Sequence, residues 1–321
     1  MKPLVSDPND IRLAMLGMVD GNGHPYSWSA IINGRFDAEV MADCGFPVIP
    51  QYLGAEPPEN LGIPGARVTH VWCDDRSDAE KVARAVFIPN VVDRPEDVIG
   101  SVDAVIISTD RGWEHVDRAR PFIEAGLPVF IDKPLCDNED DLWRFIAWHD
   151  DGKAFLSTSA MRYAKEFAAA KERIADEVGQ PRLFTITTPK SWERYGIHAL
   201  EAVYPLLRPG GWLSVANTGS EKANIVHARH ADGADVVLAA VDDMYGAFGK
   251  LNAYGTAGTL SAAFADTFFA FKAQLEAFVD FLRTGRPPVP FEETVEMMKI
   301  IIAGIRSREE SGRAVMLEEI G

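Results

Sequence analysis

Residues 127–135, Leu-Pro-Val-Phe-Ile-Asp-Lys-Pro-Leu, constrain this chain more than any other stretch. An apolar run of strand length, rich in Val, Ile and Phe and opened by Gly126 and Pro128, suits a buried parallel strand. It stops at Asp132, Lys133 and Pro134, and the C-terminal ends of strands are where open α/β sheets bind their ligands. A half-desolvated amine held there can pass a proton. An isolated D-K-P is more often a solvated lysine at a strand end; the other strand ends decide how this one is read.

Arg12 to Gly17 reads as a first strand, and Gly17, Gly21 and Gly23 make the following turn permissive for close backbone approach to a ligand. The turn, G-M-V-D-G-N-G-H-P, does not match G-x-G-x-x-G, and Asp20 adds negative charge where a pyrophosphate would sit. From Arg35 to Arg67 the chain is dense in Pro and Gly and shows no sustained helical or strand period. Val68 to Cys73 is a second strand, ending in Asp74 and Asp75, where a carboxylate can accept hydrogen bonds from a ribose diol and disfavour a 2′-phosphate. Residues 78–87 have helical character. Asp103 to Ser108 is an apolar strand ending in Ser108, Thr109 and Asp110, and a helix over 112–125 leads back to the opening strand. Strands alternating with helices predict a doubly wound parallel sheet. Its ligand edge gathers Gly17, Gly21, Asn22, Gly23 and His24 with Asp74, Ser108, Thr109, Asp110 and Lys133. That convergence moves Lys133 from surface residue to site residue.

With 321 residues the chain exceeds the size one core usually serves, so two domains are expected, 1–152 and 153–321. No run approaches the roughly 20 apolar residues needed to cross a bilayer. The N-terminus shows no basic region followed by an apolar core, which gives cytoplasmic residence as the expectation. A net charge of -16 repels phosphate backbones and anionic lipids, leaving a small molecule as the expected partner rather than nucleic acid or membrane. Cys44, Cys73 and Cys136 lack metal-type spacing and are too few for a disulfide framework, so reduced thiols and no metal are expected.

After a helix over 138–150 the pattern changes. Residues 153–159 read as a strand and 161–178 as an amphipathic helix stopped by Gly179. Strands at 183–188, 223–228, 235–241 and 251–254 predict a mostly antiparallel, open-faced sheet with helices on one face, an α+β domain. Within it, residues 191–207 form a helix-like stretch in which Arg194, His198 and Glu201, spaced by four and three, fall near one face beside a Gly196 that permits close approach. The helices at 264–284 and 292–311 carry stripes that read as core and interface.

The glycine turn, strand-end acid, Ser-Thr-Asp strand end, D-K-P, the G-I-H-A-L-E helix and the C-terminal FVDFLRTGRPPVP…EETVEMM…SREESGRAVML run together resemble the glucose-fructose oxidoreductase, inositol dehydrogenase and MocA family. The resemblance spans nearly the whole chain. It implies a Rossmann-type domain followed by an open-faced sheet domain, nicotinamide-dependent oxidation or reduction of a sugar, cyclitol or sugar acid, and a homo-oligomeric dimer or tetramer. Lys133 matches the family's E-K-P lysine, which orients the reacting hydroxyl and assists proton transfer, and His198 matches its substrate-binding or acid–base histidine. Asp132 stands where that motif has glutamate, and Arg194 where an aspartate commonly precedes the histidine by four. Arg194, Tyr195, Trp192 and Glu201 are the expected substrate contacts. Asp132 and Pro134 join the glycine turn, Asp74 and residues 108–110 as expected cofactor contacts. NAD is expected over NADP. A non-redox elimination or isomerisation in the same pocket, or a binding protein on a degenerate scaffold, are the alternatives, and intact Lys133 and His198 speak against the second.

Overall fold

The computed structural model, which describes residues 2–321, contains two sheets. The first half runs β1 (Ile11–Leu16), α1 (His24–Asn33), α2 (Ala38–Ala42), α3 (Val48–Gly54), β2 (Ala66–Trp72), α4 (Arg76–Val86), β3 (Asn90–Val91), β4 (Ala104–Ile107), α5 (His115–Glu124), β5 (Val129–Ile131), α6 (Glu139–Asp150) and β6 (Phe155–Leu156). All six strands are parallel, in the order β3-β2-β1-β4-β5-β6. The strand order reverses beside β1, so the crevice between the ends of β1 and β4 is the topological switch point. The second half adds α7 (Lys165–Glu177), β7 (Pro181–Pro189), α8 (Trp192–Val203), β8 (Trp212–Asn217), β9 (Ala223–His230), β10 (Asp235–Val241), β11 (Lys250–Gly255), β12 (Thr259–Ala263), α9 (Thr267–Thr284), α10 (Phe291–Glu309) and β13 (Val315–Met316). Its sheet, β12-β11-β7-β10-β9-β8-β13, is antiparallel except between β7 and β10.

Burial explains the layers. Ile11, Leu13 and Met15 point to one face of the first sheet, where they pack with α1, α4 and α9. Ala14 and Leu16 point to the other, into a core that continues through α5, α6, α8 and α10 to the inner face of the second sheet. In the second sheet Ile225 is outward and Val226 buried, the alternation of a sheet covered on one side.

Several expectations are corrected. Residues 35–67 hold two short helices rather than a long loop. Asp37 caps α2 by accepting from the Glu39 and Val40 amides, and Ile49 and Leu53 of α3 are buried, too brief a pattern to register as a period. The strand expected over 153–159 shrinks to Phe155–Leu156 and pairs with β5 in the first sheet. The helix expected from Met161 starts at Lys165, after a 3-10 turn at 160–163 capped by Ser159. Strands β3, β8, β12 and β13 lie outside the expected set, and α9 is core, as expected, but in the helical layer of the first sheet.

Candidate active site

The ends of β4 and β5 are tied together before they present any chemistry. His115, at the start of α5, sets Nε2 2.8 Å from the Thr109 carbonyl and Nδ1 2.9 Å from that of Pro134. Burial lowers its pKa, while carbonyl acceptors at both ring nitrogens pull the other way. Ser108 donates to the Leu16 and Gly17 carbonyls, 3.1 and 2.8 Å, so this expected cofactor contact instead staples β4 to β1.

Lys133 is buried between two carboxylates, with Nζ 3.7 Å from Asp110 and 3.8 Å from Asp132, and lies 4.8 Å from the centre of the Tyr195 ring. Asp132 accepts from the Lys133 amide (2.8 Å) and from Asn22 (3.1 Å), and His24 Nε2 lies 3.4 Å away. The Asn22 side-chain oxygen Oδ1 also accepts from the His24 amide at 3.0 Å, so the glycine turn is fastened to β5. Burial raises the Asp132 carboxyl, with Asp110 adding to the effect against Lys133, to a pKa of about 7. Burial acts the same way on Asp110, but Lys133 and Arg194 outweigh it and bring that carboxyl to about 2. The two acids are thereby separated, one ionised and one poised near neutrality.

The second half contributes α8 and the turn before it. Ser191 caps α8 by accepting from the Arg194 amide, 3.4 Å. Arg194 reaches across to Asp110, 2.6 Å, and to the Asp20 carbonyl, 3.1 Å. Lys190, at a left-handed φ of 60°, donates to the Gly21 carbonyl at 3.0 Å and to the Tyr195 hydroxyl at 2.7 Å. Tyr195 meets His198 edge-on at 4.7 Å. His198 is buried, and burial together with the charge of Lys133 holds its pKa well below the usual histidine range. The spacing thus brings Arg194, Tyr195 and His198 to the Lys133 cluster.

Two expected substrate contacts lie elsewhere. Trp192 is fully buried, its indole N–H on the Ile301 carbonyl at 2.9 Å. A Cβ on Gly196 would stand 2.4 Å from that indole and one on Gly304 2.5 Å, so Gly196 admits a tryptophan rather than a ligand. Glu201 is buried and taken up by other partners. It ion-pairs with Arg162, which also holds Glu293 at 2.9 Å, and accepts the Ser159 amide at 3.0 Å. Spacing alone could not show this, because three and four residues span enough of the helix circumference to reach different neighbours.

On the cofactor side, Gly17 has φ +89° and a Cβ there would stand 2.7 Å from Thr109, while one on Gly23 would stand 2.6 Å from Ile49. Asp74 lies at the end of β2, half-exposed, with Arg118 2.8 Å away; Asp75 caps α4 through the Ser77 amide. The Thr109 hydroxyl and one Asp110 oxygen are buried without hydrogen-bond partners. All three cysteines are buried and unpaired, and no group of three potential ligands is placed to hold a metal among the described residues. Lys190, Ser159 and His115 were not read from the sequence. Each is a common residue type outside any motif, significant only for what it meets in space.

A parallel sheet with its switch point at β1, facing a second open sheet across a buried Lys-Asp-His cluster, defines a Rossmann-type fold with an appended α+β half. Residues 55–157 match the family model GFO_IDH_MocA, described as an oxidoreductase family with an NAD-binding Rossmann fold. That match and the inositol 2-dehydrogenase relatives support the Gfo/Idh/MocA family. It is 28% identical over 196 residues to an inositol 2-dehydrogenase of Acidiphilium cryptum; the match takes in 56% of this chain and spans only 57% of that relative's length. In fold it is similar to a probable dehydrogenase from Thermotoga maritima (TM-score 0.73, 18% identity, 97% of this chain and 100% of that one). It is likewise similar to a myo-inositol dehydrogenase from Lactobacillus casei solved with NAD(H) and myo-inositol (TM-score 0.71, 16% identity, 96% of each chain). No helix among the described residues is long and apolar enough to cross a membrane.

Proposed function

We propose that this protein is a nicotinamide-dependent dehydrogenase of a sugar, cyclitol or sugar acid. The observation that carries the reading is Lys133, buried at the end of β5 with its amine 3.7 Å from Asp110 and 3.8 Å from Asp132, and His198 beside Tyr195 in the same crevice. Lys133 orients the reacting hydroxyl and assists proton transfer, and His198 binds the oxygen being transformed.

The residues present fit a nicotinamide dinucleotide. In the turn Gly17 and Gly23 make room for Thr109 and Ile49 while Gly21 has no neighbour closer than ordinary van der Waals contact, and Asp74 at the end of β2 is our ribose-diol acceptor. At the start of α1 the His24 amide is bonded to Asn22 and Pro25 has no N–H, so the helix offers an anion fewer donors than usual. Lys190 and Arg194 over the same turn supply the positive charge instead. When bound, the nicotinamide accepts or returns the hydride. NAD is the reading over NADP, because Arg118 is already held by Asp74 and Glu114, both at 2.8 Å, and does not invite a 2′-phosphate.

The outward face of the second sheet, with exposed Leu213, Ile225 and Tyr254, supports self-association, which light scattering would measure. The decisive test is a screen of polyols, cyclitols and their aldonic and uronic acids with NAD, following nicotinamide absorbance. A turned-over member supports the reading. Bound nucleotide with no spectral change on any of them would sink it in favour of non-redox chemistry.

A further inference from the structure

His198 lacks the partner its position would suggest. Four residues earlier stands Arg194, which is engaged with Asp110 and carries no acceptor. The contact that remains is Ser159, whose hydroxyl lies 2.7 Å from His198 Nδ1. Which way that hydrogen bond runs follows from the other partners of the same oxygen. The Ser159 hydroxyl oxygen accepts the Met161 amide at 3.1 Å, capping the 3-10 turn at 160–163. If Nδ1–H were a second donor to it, the hydroxyl hydrogen of a fully buried serine would face no acceptor among the described residues. That arrangement costs about 1–3 kcal/mol. With the hydroxyl donating to Nδ1, every polar atom of Ser159 is paired. Nδ1 is then the acceptor, and the ring proton sits on Nε2, which bonds no group among the described residues.

The serine is held for the purpose. Its amide donates to Glu201, and Glu201 is gripped by Arg162, which Glu293 also binds. The hydroxyl therefore has one position from which to meet the ring. Phe248, 5.3 Å from His198 and nearly perpendicular to it, and Tyr195 on another side limit how far the imidazole can turn.

We infer that Ser159 is a positioning residue that fixes the tautomer of His198, so that His198 presents Nε2–H to the substrate as a hydrogen-bond donor. Resting on the dehydrogenase reading, this makes the histidine the group that steadies charge on the reacting oxygen. A second consequence is that Arg194 replaces an aspartate without leaving the ring unoriented. Burial keeps the imidazole neutral in the ordinary pH range, so the tautomer matters.

The tautomer is read without any substrate, from long-range proton–nitrogen spectra of protein labelled in its histidine rings. There are seven histidines, and His198→Gln assigns the signal. The wild type is expected to show an unprotonated, hydrogen-bonded Nδ1 and a protonated Nε2. Ser159→Ala should lose that bias, while Ser159→Thr, which keeps the hydroxyl, should retain it. A wild-type signal with the proton on Nδ1 overturns the inference, whatever happens to the variants. So does a Ser159→Ala spectrum identical to wild type, with circular dichroism confirming the fold. On a substrate that the wild type turns over, Ser159→Ala should lower kcat by about tenfold or more with little change in KM, and Ser159→Thr should recover it. Failure of the wild type on every polyol removes the dehydrogenase reading but leaves the tautomer result standing.

Discussion

Arg194 of α8 and Asp110 at the end of β4 meet at 2.6 Å across the junction of the two sheets. Asp110 is buried and Arg194 mostly so, so the pair is shielded from the screening that weakens surface bridges. It joins the two halves at the place where Lys133 also needs a counter-charge, so Asp110 serves two cations at once.

Replacing Lys133 with Met keeps the aliphatic stem and removes the charge. On an identified substrate the variant should lose about a hundredfold or more in turnover. Near-normal rates would remove Lys133 from the mechanism.

Arg194→Gln takes one of the two cations from Asp110. Its carboxyl pKa should rise from about 2, and the variant should be less stable by roughly 1–3 kcal/mol in denaturant titrations, given the partial exposure of Arg194. The same variant tests anionic substrates. Uronic or aldonic acids should lose more in kcat/KM than neutral polyols; equal loss for both classes would mean that Arg194 acts on the fold alone.

Asp132 has a folded pKa of about 7, above the unfolded value near 3.9. Between those values the folded state binds the extra proton, so this group's contribution to stability falls as pH rises through the window and levels off above it. His24 and His198, whose pKa values are lowered, act in the opposite direction and lose stability as pH falls below about 6.5. The comparison is therefore by difference: Asp132→Asn should gain on the wild type progressively from pH 4 to 7. A constant difference across that range would show that Asp132 is ionised in the folded protein throughout.

Glu201→Ala leaves Arg162 with Glu293 alone and the Ser159 amide unpaired in a buried site. With Arg162 still paired, the unsatisfied buried amide and the lost second partner should cost about 1–3 kcal/mol, which thermal or urea unfolding would register. A loss below about 1 kcal/mol, the scale of an exposed pair, would mean water reaches the triad.

Gly17→Ala places a Cβ 2.7 Å from the Thr109 methyl at a backbone φ of +89°. Strain and overpacking together should cost about 1–3 kcal/mol and weaken NAD binding measured by calorimetry. An unchanged melting temperature would show that the turn relaxes.

Local pattern carried most of the fold. Apolar strands of ordinary length alternating with helices specified the parallel sheet and the order of its ligand edge, and the buried run before Lys133 placed that residue at a strand end. These are short-range properties, set by burial and by the periods of strand and helix. The sequence also marked Arg194 and His198 as neighbours on one helix. What each side chain meets was decided only by the tertiary structure. Glu201 lies on the same helix yet faces Arg162, Trp192 lies between two glycines more than a hundred residues apart, and His198 finds its partner in Ser159, from a segment no motif singled out. The pKa separation of Asp110 and Asp132 belongs to the same class, because desolvation and nearby charge depend on packing across the two sheets.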